Sequence, residues 1–347
     1  MAPTIGFFTR VLDDAGASER YRIALDHIEL AERMGFASAW VAQHHLDGAE
    51  GGLPSPFVLL AAAAQRTDRI RLGTAILTLA HEHPARAAED AAVLDALSGG
   101  RTELGLGTGG GPRTLSAFGE DPQQRRAIYD AKLVRLRALL DGSADETLYP
   151  DASGVHRAGA GLADRIWQAT FSPEGASAIG AQGDGLMLSR VQPVPPGHDG
   201  PRPPRVWEVQ RRVVDAYLEA LPAGVEPRIL ASRSVVVVDR DERDAVREHA
   251  GAGLRAQAAG LALGTHDTTL DELLVRTETH LGTPDEVVES LGADPIAAAA
   301  TEVSIQVHSV DPHHTITARS LELFATEVAP ALGWAVQRQQ EEQRHVA

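Results

Sequence analysis

The stretch Gly73-Thr-Ala-Ile-Leu-Thr-Leu-Ala-His-Glu-His-Pro84, an Ala-rich run to Leu97, and then Ser98-Gly-Gly-Arg-Thr-Glu-Leu-Gly-Leu-Gly-Thr-Gly-Gly-Gly111 decides the fold. Its first part is apolar and β-rich and ends in a loop carrying His81 and His83. Pro84 suits a first helical position, Leu97-Ser-Gly-Gly stops the helix, and a second apolar run ends in glycines. This is a βαβ unit. Its two loops leave the strand ends on one side, where such units bind ligands.

The alternation continues on both sides of the unit. Residues 4–9 and 37–42 read as strands before it, and the third strand runs through 70–79. Further strands are expected at 101–107, 165–170, 185–189, 229–238 and 301–310. Between them, Ser18 opens a helix with Tyr21, Leu25, Ile28, Ala31 and Met34 on one face, stopped by Gly35. Helices are also expected at 56–66, 84–97, 121–140, after Ser172-Pro-Glu-Gly175, and at 205–221, 241–260, 270–281 and 315–332. A short one is capped by Thr283. Eight strands alternating with helices predict an α/β fold, a (β/α)8 TIM barrel with insertions after strands 4 and 6. The insertions are the polar segment 141–164 and the Pro-rich run 192–204, whose length suits a lid or substrate loop. Residues 1–334 read as one domain, and 335–347 as a polar Gln/Glu-rich tail with no apolar face.

Composition narrows the function. The 347 residues are 43% hydrophobic, enough for a sizeable core, and no window of about 18 apolar residues suggests a membrane span. With no leader-like N-terminus either, a cytoplasmic protein is expected. The absence of cysteine excludes disulfides, thiolate metal sites and a cysteine nucleophile. A formal charge of −16 opposes nucleic acid and anionic membrane as partners. A phosphorylated ligand would need a local positive potential.

In barrels the residues just past the strands carry the chemistry. Here these are Thr9, Gln43, His44, His45, His81, His83, Thr108 to Gly111, Thr170, Ser172, Ser189, Arg190 and His308. The Thr108-Gly-Gly-Gly-Pro112 loop would let a ligand approach bare backbone, although such a loop is more often a plain turn. Ser172-Pro-Glu-Gly175 offers a hydroxyl and amides at a helix start, suited to phosphate, although Ser-Pro is also an ordinary cap. Arg190 would add positive charge. The four histidines suggest metal, but no carboxylate stands at ligand spacing and adjacent histidines at a strand end diverge, so no metal is predicted. The Ala-rich second and third helices leave surplus apolar surface, consistent with a homodimer through them.

Arg69-Ile-Arg-Leu-Gly-Thr-Ala-Ile76, His83-Pro-x-Arg-x-Ala-Glu-Asp90, Leu94-Asp-Ala-Leu-Ser-Gly-Gly-Arg101 and Leu104-Gly-Leu-Gly107 resemble the bacterial luciferase-like flavin monooxygenases. Trp40 with His44-His45, and Gly183-Asp-Gly-Leu186, extend the resemblance. It implies a metal-free barrel and a monooxygenase. Reduced FMN from a separate flavin reductase would act with dioxygen, through a flavin peroxide, on a small organic substrate. Related enzymes using the deazaflavin coenzyme for hydride transfer are the alternative, and a non-catalytic flavin-binding protein is a third reading. Carried over by residue, the resemblance makes His44 the catalytic histidine and Ala75–Ile76 a non-prolyl cis peptide beneath the ring. Phe7, Gly107, Thr108, Gly109 and Gly110 would contact the ring or its chain. Thr170, Ser172, Gly175, Ser189 and Arg190 would surround the phosphate. The family's phosphate-binding arginine near Thr108 is missing here, leaving Arg190 or Arg113 to substitute, and Gln43 replaces a carboxylate before the paired histidines.

Overall fold

The computed structural model describes residues 2–46, 48–109, 111–143, 161–195, 197–198, 203–264 and 267–337. The chain runs β1 (Thr4–Thr9), α1 (Ala17–Met34), β2 (Ser38–Val41), α2 (Pro56–Ala64), β3 (Arg71–Thr74), β4 (Leu77–Thr78), α3 (Pro84–Ser98), β5 (Thr102–Gly107), α4 (Pro112–Ala117) and α5 (Arg125–Leu140). It continues through β6 (Ile166–Ala169), α6 (Pro173–Ala181), β7 (Gly185–Leu188), α7 (Val206–Ala220), β8 (Ile229–Val237), α8 (Arg243–Gly260), α9 (Leu270–Arg276), β9 (Thr279–Gly282), α10 (Pro284–Gly292), α11 (Pro295–Ala299), β10 (Glu302–Gln306) and α12 (His314–Leu323). The strands pair in parallel in the order β10-β1-β2-β3-β5-β6-β7-β8, and β8 pairs with β10 to close the ring. This is the expected (β/α)8 barrel. The short β4 prolongs the third strand and pairs with β5.

Inside the ring, alternation decides what fills the core. On β1, Phe8 points inward and joins Trp40, Trp167, Met187 and Leu230, whereas Ile5 and Phe7 point outward to the helices. The two indoles meet edge to face at 5.9 Å. They fit because the neighbouring strand carries glycine at each contact: a Cβ on Gly73 would lie 2.3 Å from the Trp40 ring, and one on Gly185 2.2 Å from the Trp167 ring. Each indole N–H, buried with its ring, needs an acceptor. Trp40 Nε1 donates to Glu302 at 2.6 Å and Trp167 Nε1 to Glu103 at 2.8 Å. Arg71 pairs with Glu103, and the Arg228 guanidinium lies over the Trp167 ring at 5.0 Å.

Several expectations are corrected. Residues 279–282, read as the end of a helix, form β9 against the second half of β8: α9 ends at Arg276, and Glu278 takes a positive φ of 48° that turns the chain into the strand. The first helix begins at Ala17 behind Gly16, so Ser18 lies within it. The glycine-rich loop leads into α4, which was not expected. Helix α12 continues as a π-helical turn over Phe324–Val328. In the predicted insertions, residues 144–160, 196 and 199–202 lie outside the described ones, and the described residues of 192–204 form no helix or strand. Of the polar tail, Ala335 bridges Thr4 and Val336 is buried, while 338–347 lie outside the described residues. No described helix is long and apolar enough to cross a membrane.

Burial pushes the Glu302 carboxyl up to about 7, with Glu103 adding to the effect and the bonds from Ser38 and Trp40 opposing it. The folded chain therefore holds this proton more tightly than the unfolded one. The resulting stability is fully present below the ordinary value of 4.5 and is lost as pH rises through about 7. Glu302→Gln keeps an oxygen acceptor and cannot ionise. Urea unfolding should find the variant gaining on the wild type by on the order of 1–3 kcal/mol between about pH 5 and about pH 8. A difference that does not change with pH contradicts this account.

Candidate active site

Above the two indoles the β3–β6 side of the barrel mouth is built from small residues. Ala75 and Ile76 follow β3, are joined by a cis peptide bond, and pack against the inner cluster. Next to them β5 presents Gly105 and Gly107, where added Cβ atoms would lie 1.9 Å from Thr74 O and 2.6 Å from Ile76 Cδ1. Gly109 has φ +68° and would meet the Thr78 methyl at 2.4 Å. On β6, Ala169 shares the inward side of Trp167 and is exposed, so the wall opens to solvent. Thr108 is half-buried beside it, and Gly110 lies outside the described residues. A flat ring could lie on such a wall with little side chain intervening.

Past β2, Gln43 is buried and bridges the strand ends: its Oε1 accepts from Thr78 N at 2.7 Å, and its Nε2 donates to Glu82 at 2.7 Å and Pro54 O at 3.2 Å. Where the resemblance expects a carboxylate, this chain has an amide that serves both as donor and as acceptor. His44 follows, its backbone N–H donating to Leu53 O at 2.9 Å. Its Nε2 lies 3.3 Å from Arg10 Nη2. A guanidinium only donates, so this contact makes Nε2 the acceptor and puts the neutral ring's proton on Nδ1. Gly51 leaves the space that the ring occupies, since a Cβ there would lie 2.3 Å from Nδ1.

The proposed phosphate residues separate into two places. Thr170, Ser172 and Gly175 form one compact turn: Ser172 N donates to Thr170 Oγ1 at 3.2 Å and Gly175 N to Ser172 Oγ at 3.1 Å, which caps α6. The Gly175 amide is thus used internally, and what this turn offers an anion is its hydroxyl protons. Ser189 Oγ similarly accepts from Val191 N at 3.3 Å. Arg190 turns away, toward Gln257 Oε1 at 2.7 Å and Ser234 Oγ at 3.5 Å on the β8 side. Arg113, exposed in the first turn of α4, remains the arginine beside the glycine loop.

Phe7 does not face the mouth interior. It packs outward, edge to face with His27 at 6.1 Å, because strand alternation gives the inward position to Phe8. Sequence reasoning also missed Arg10, Gly51 and Phe118. Phe118 is 46% exposed, stacks on His81 at 5.2 Å and meets His45 at 4.8 Å. Burial, with His45 and Lys132 adding to it, pulls His81 down to about 4, so this ring is neutral at pH 7. Among the described residues no group of three or more His, Cys, Asp or Glu could hold a metal ion.

An open wall of small residues at the C-terminal end of a parallel barrel, with an imidazole at the next strand end, stands where such barrels carry their ligand sites. Residues 4–299 match the family described as luciferase-like monooxygenase, and the chain belongs to that family. The 4-hydroxyprotoasukamycin monooxygenase of Streptomyces nodosus subsp. asukaensis is 32% identical over 323 residues, covering 87% of this chain and 85% of that one. Limonene 1,2-monooxygenase of Rhodococcus erythropolis is 33% identical over 187 residues, 52% of this chain and 48% of its own length. Among solved structures, the oxygenating constituent of 3,6-diketocamphane monooxygenase from Pseudomonas putida, in complex with FMN, has the same fold: TM-score 0.75 at 20% identity, covering 95% of this chain and 99% of that one.

The space at Gly51 gives a test that needs no substrate. In 15N-histidine-labelled protein, His44 should appear as the Nδ1–H tautomer, identified by its loss in His44→Ala. Gly51→Ala should abolish or shift that signal while thermal stability changes by less than about 2 kcal/mol. An unchanged His44 signal in Gly51→Ala contradicts the geometry.

Proposed function

We propose that this protein is the oxygenating component of a two-component system. It receives reduced FMN from a separate flavin reductase and uses dioxygen to oxygenate a small organic substrate, with His44 as the proton-handling residue. The observation that supports this best is the wall of Ala75, Ile76, Gly107 and Gly109, where backbone and small side chains leave room for a planar ring. Reduced flavin, when bound, supplies the electrons that activate dioxygen.

The chain's own residues do the rest. Ala75, Ile76, Gly107 and Thr108 to Gly110 hold the ring and its chain. Thr170, Ser172 and Ser189 donate hydroxyl hydrogens to the phosphate, and Arg113 supplies the charge near it. His44 Nε2 accepts from Arg10, and once that contact is released the imidazole can take up or return a proton, as an imidazole near neutral pH does. The Trp40–Trp167 floor keeps water out from below. The 3,6-diketocamphane enzyme is an oxygenating constituent found with FMN, and this supports both the cofactor and the separate reductase.

A homodimer fits the same reading. Val58 on α2 and Val93 and Leu97 on α3 are 72%, 44% and 49% exposed, apolar side chains on the two Ala-rich helices. Val58→Glu combined with Leu97→Glu should convert a dimeric mass in light scattering to a monomeric one. A wild-type protein already monomeric at micromolar concentration removes the dimer.

Titration should give a micromolar or tighter dissociation constant for FMN, at least about tenfold tighter than for the deazaflavin coenzyme. Arg113→Ala should weaken FMN about tenfold, near 1.4 kcal/mol. Mixing with reduced FMN and dioxygen should consume dioxygen. Millimolar FMN binding, or a preference for the deazaflavin, contradicts the proposal.

A further inference from the structure

Two arginines at the mouth are left without a task. Arg10 follows β1 and Arg190 follows β7, strand ends separated in the ring only by β8 and β10. Arg190 is 9% exposed, and its hydrogen bonds go to the neutral side chains of Gln257 and Ser234. Arg10, half-buried, has its side-chain hydrogen bond with the His44 imidazole. Among the described residues neither guanidinium forms an ion pair.

Their surroundings make this unusual. Buried charges are ordinarily paired, and the chain as a whole carries an excess of carboxylates. Yet these two cations lie near enough to act on each other: after burial, the Arg10 charge is the next cause that lowers Arg190, with Asp311 opposing. Asp311 and Glu50 support the charge on Arg10 from beyond contact. The Asp311 carboxylate is itself engaged by His308 Nδ1 at 2.6 Å. Beside Arg10 opens a shallow cleft, lined among others by Asp13, Gln306, His308 and Asp311 and not by Arg190.

We propose that Arg10 and Arg190 form an anion site at this side of the mouth and that it receives the carboxylate of the organic substrate. The inference rests on the flavin reading of the mouth and deepens it. Ser172, where that reading puts the flavin phosphate, follows β6, which stands opposite β1 in the ring. A phosphate there leaves Arg10 uncovered. Guanidinium groups match carboxylates with two parallel N–H donors. Because Arg10 also touches His44, a carboxylate seated on it brings its molecule beside the proton-handling residue.

Benzoate, with benzamide as its uncharged analogue, probes the site by calorimetry in the full-length protein at low ionic strength. Benzoate should bind at least about tenfold more tightly than benzamide, and Arg10→Gln and Arg190→Gln should each weaken it about tenfold. The FMN dissociation constant, read from flavin fluorescence, should change less than about twofold in Arg10→Gln. Arg10 has fewer structural contacts than Arg190, so its variant decides the matter if Arg190→Gln fails to fold. Equal binding of benzoate and benzamide, or undiminished benzoate binding in Arg10→Gln, overturns the proposal. So does stronger competition by inorganic phosphate than by benzoate, or a tenfold loss of FMN affinity in Arg10→Gln; either assigns the arginines to the cofactor and leaves the flavin reading standing. Benzoate binding lost with Arg10, in a protein that binds no FMN, supports the anion site while removing the flavin reading.

Discussion

Two indoles fill the base of this barrel, and each lies on the bare backbone of the next strand. That packing requires glycine at 73 and 185 and, because buried indole N–H groups need acceptors, it also requires Glu302 and Glu103. The carboxylates in turn gather Ser38 and Arg71. Much of the lower interior is therefore one connected set of contacts, in which an aromatic ring, a missing Cβ and a buried acid depend on one another.

The upper half is built the other way. Once the indoles close the base, the next inward positions on β3, β5 and β6 are Ala75, Gly105, Gly107 and Ala169, so the same barrel that is filled below is open above. The far side of the mouth is polar instead: Arg10, Arg190, His308 and Asp311. An apolar wall of small residues and a polar wall facing it are what a flat cofactor and a polar substrate would each need. His44 stands between them, at the end of β2, its ring accommodated by Gly51 and held by Arg10.

Most of the barrel was legible in the sequence because its strands are short apolar runs separated by capped helices, and the Gly73 to Gly111 unit set the period. The cis Ala75–Ile76 bond was anticipated from family resemblance alone, since nothing in two small apolar residues signals it. The failures have physical causes. Phe7 and Phe8 are adjacent and equally apolar, so only the pairing of β1 with its neighbours tells which faces inward. The β9 strand follows a helix without glycine or proline, and the break depends on Glu278 adopting positive φ. Arg190 was offered to the phosphate because it directly follows a strand and carries positive charge, but its partner, Gln257, is 67 residues away on α8. Arg10 and Gly51 matter only through their distance to His44, which is tertiary information.

The central claim is that the small-residue wall holds the flavin ring. A crystal structure of the protein with FMN tests it most directly. The account predicts the ring against Ala75, Ile76 and Gly107, with the phosphate at Ser172 and Arg10 free of it. Ring density anywhere else in the barrel, or a phosphate seated on Arg10 and Arg190, would contradict it.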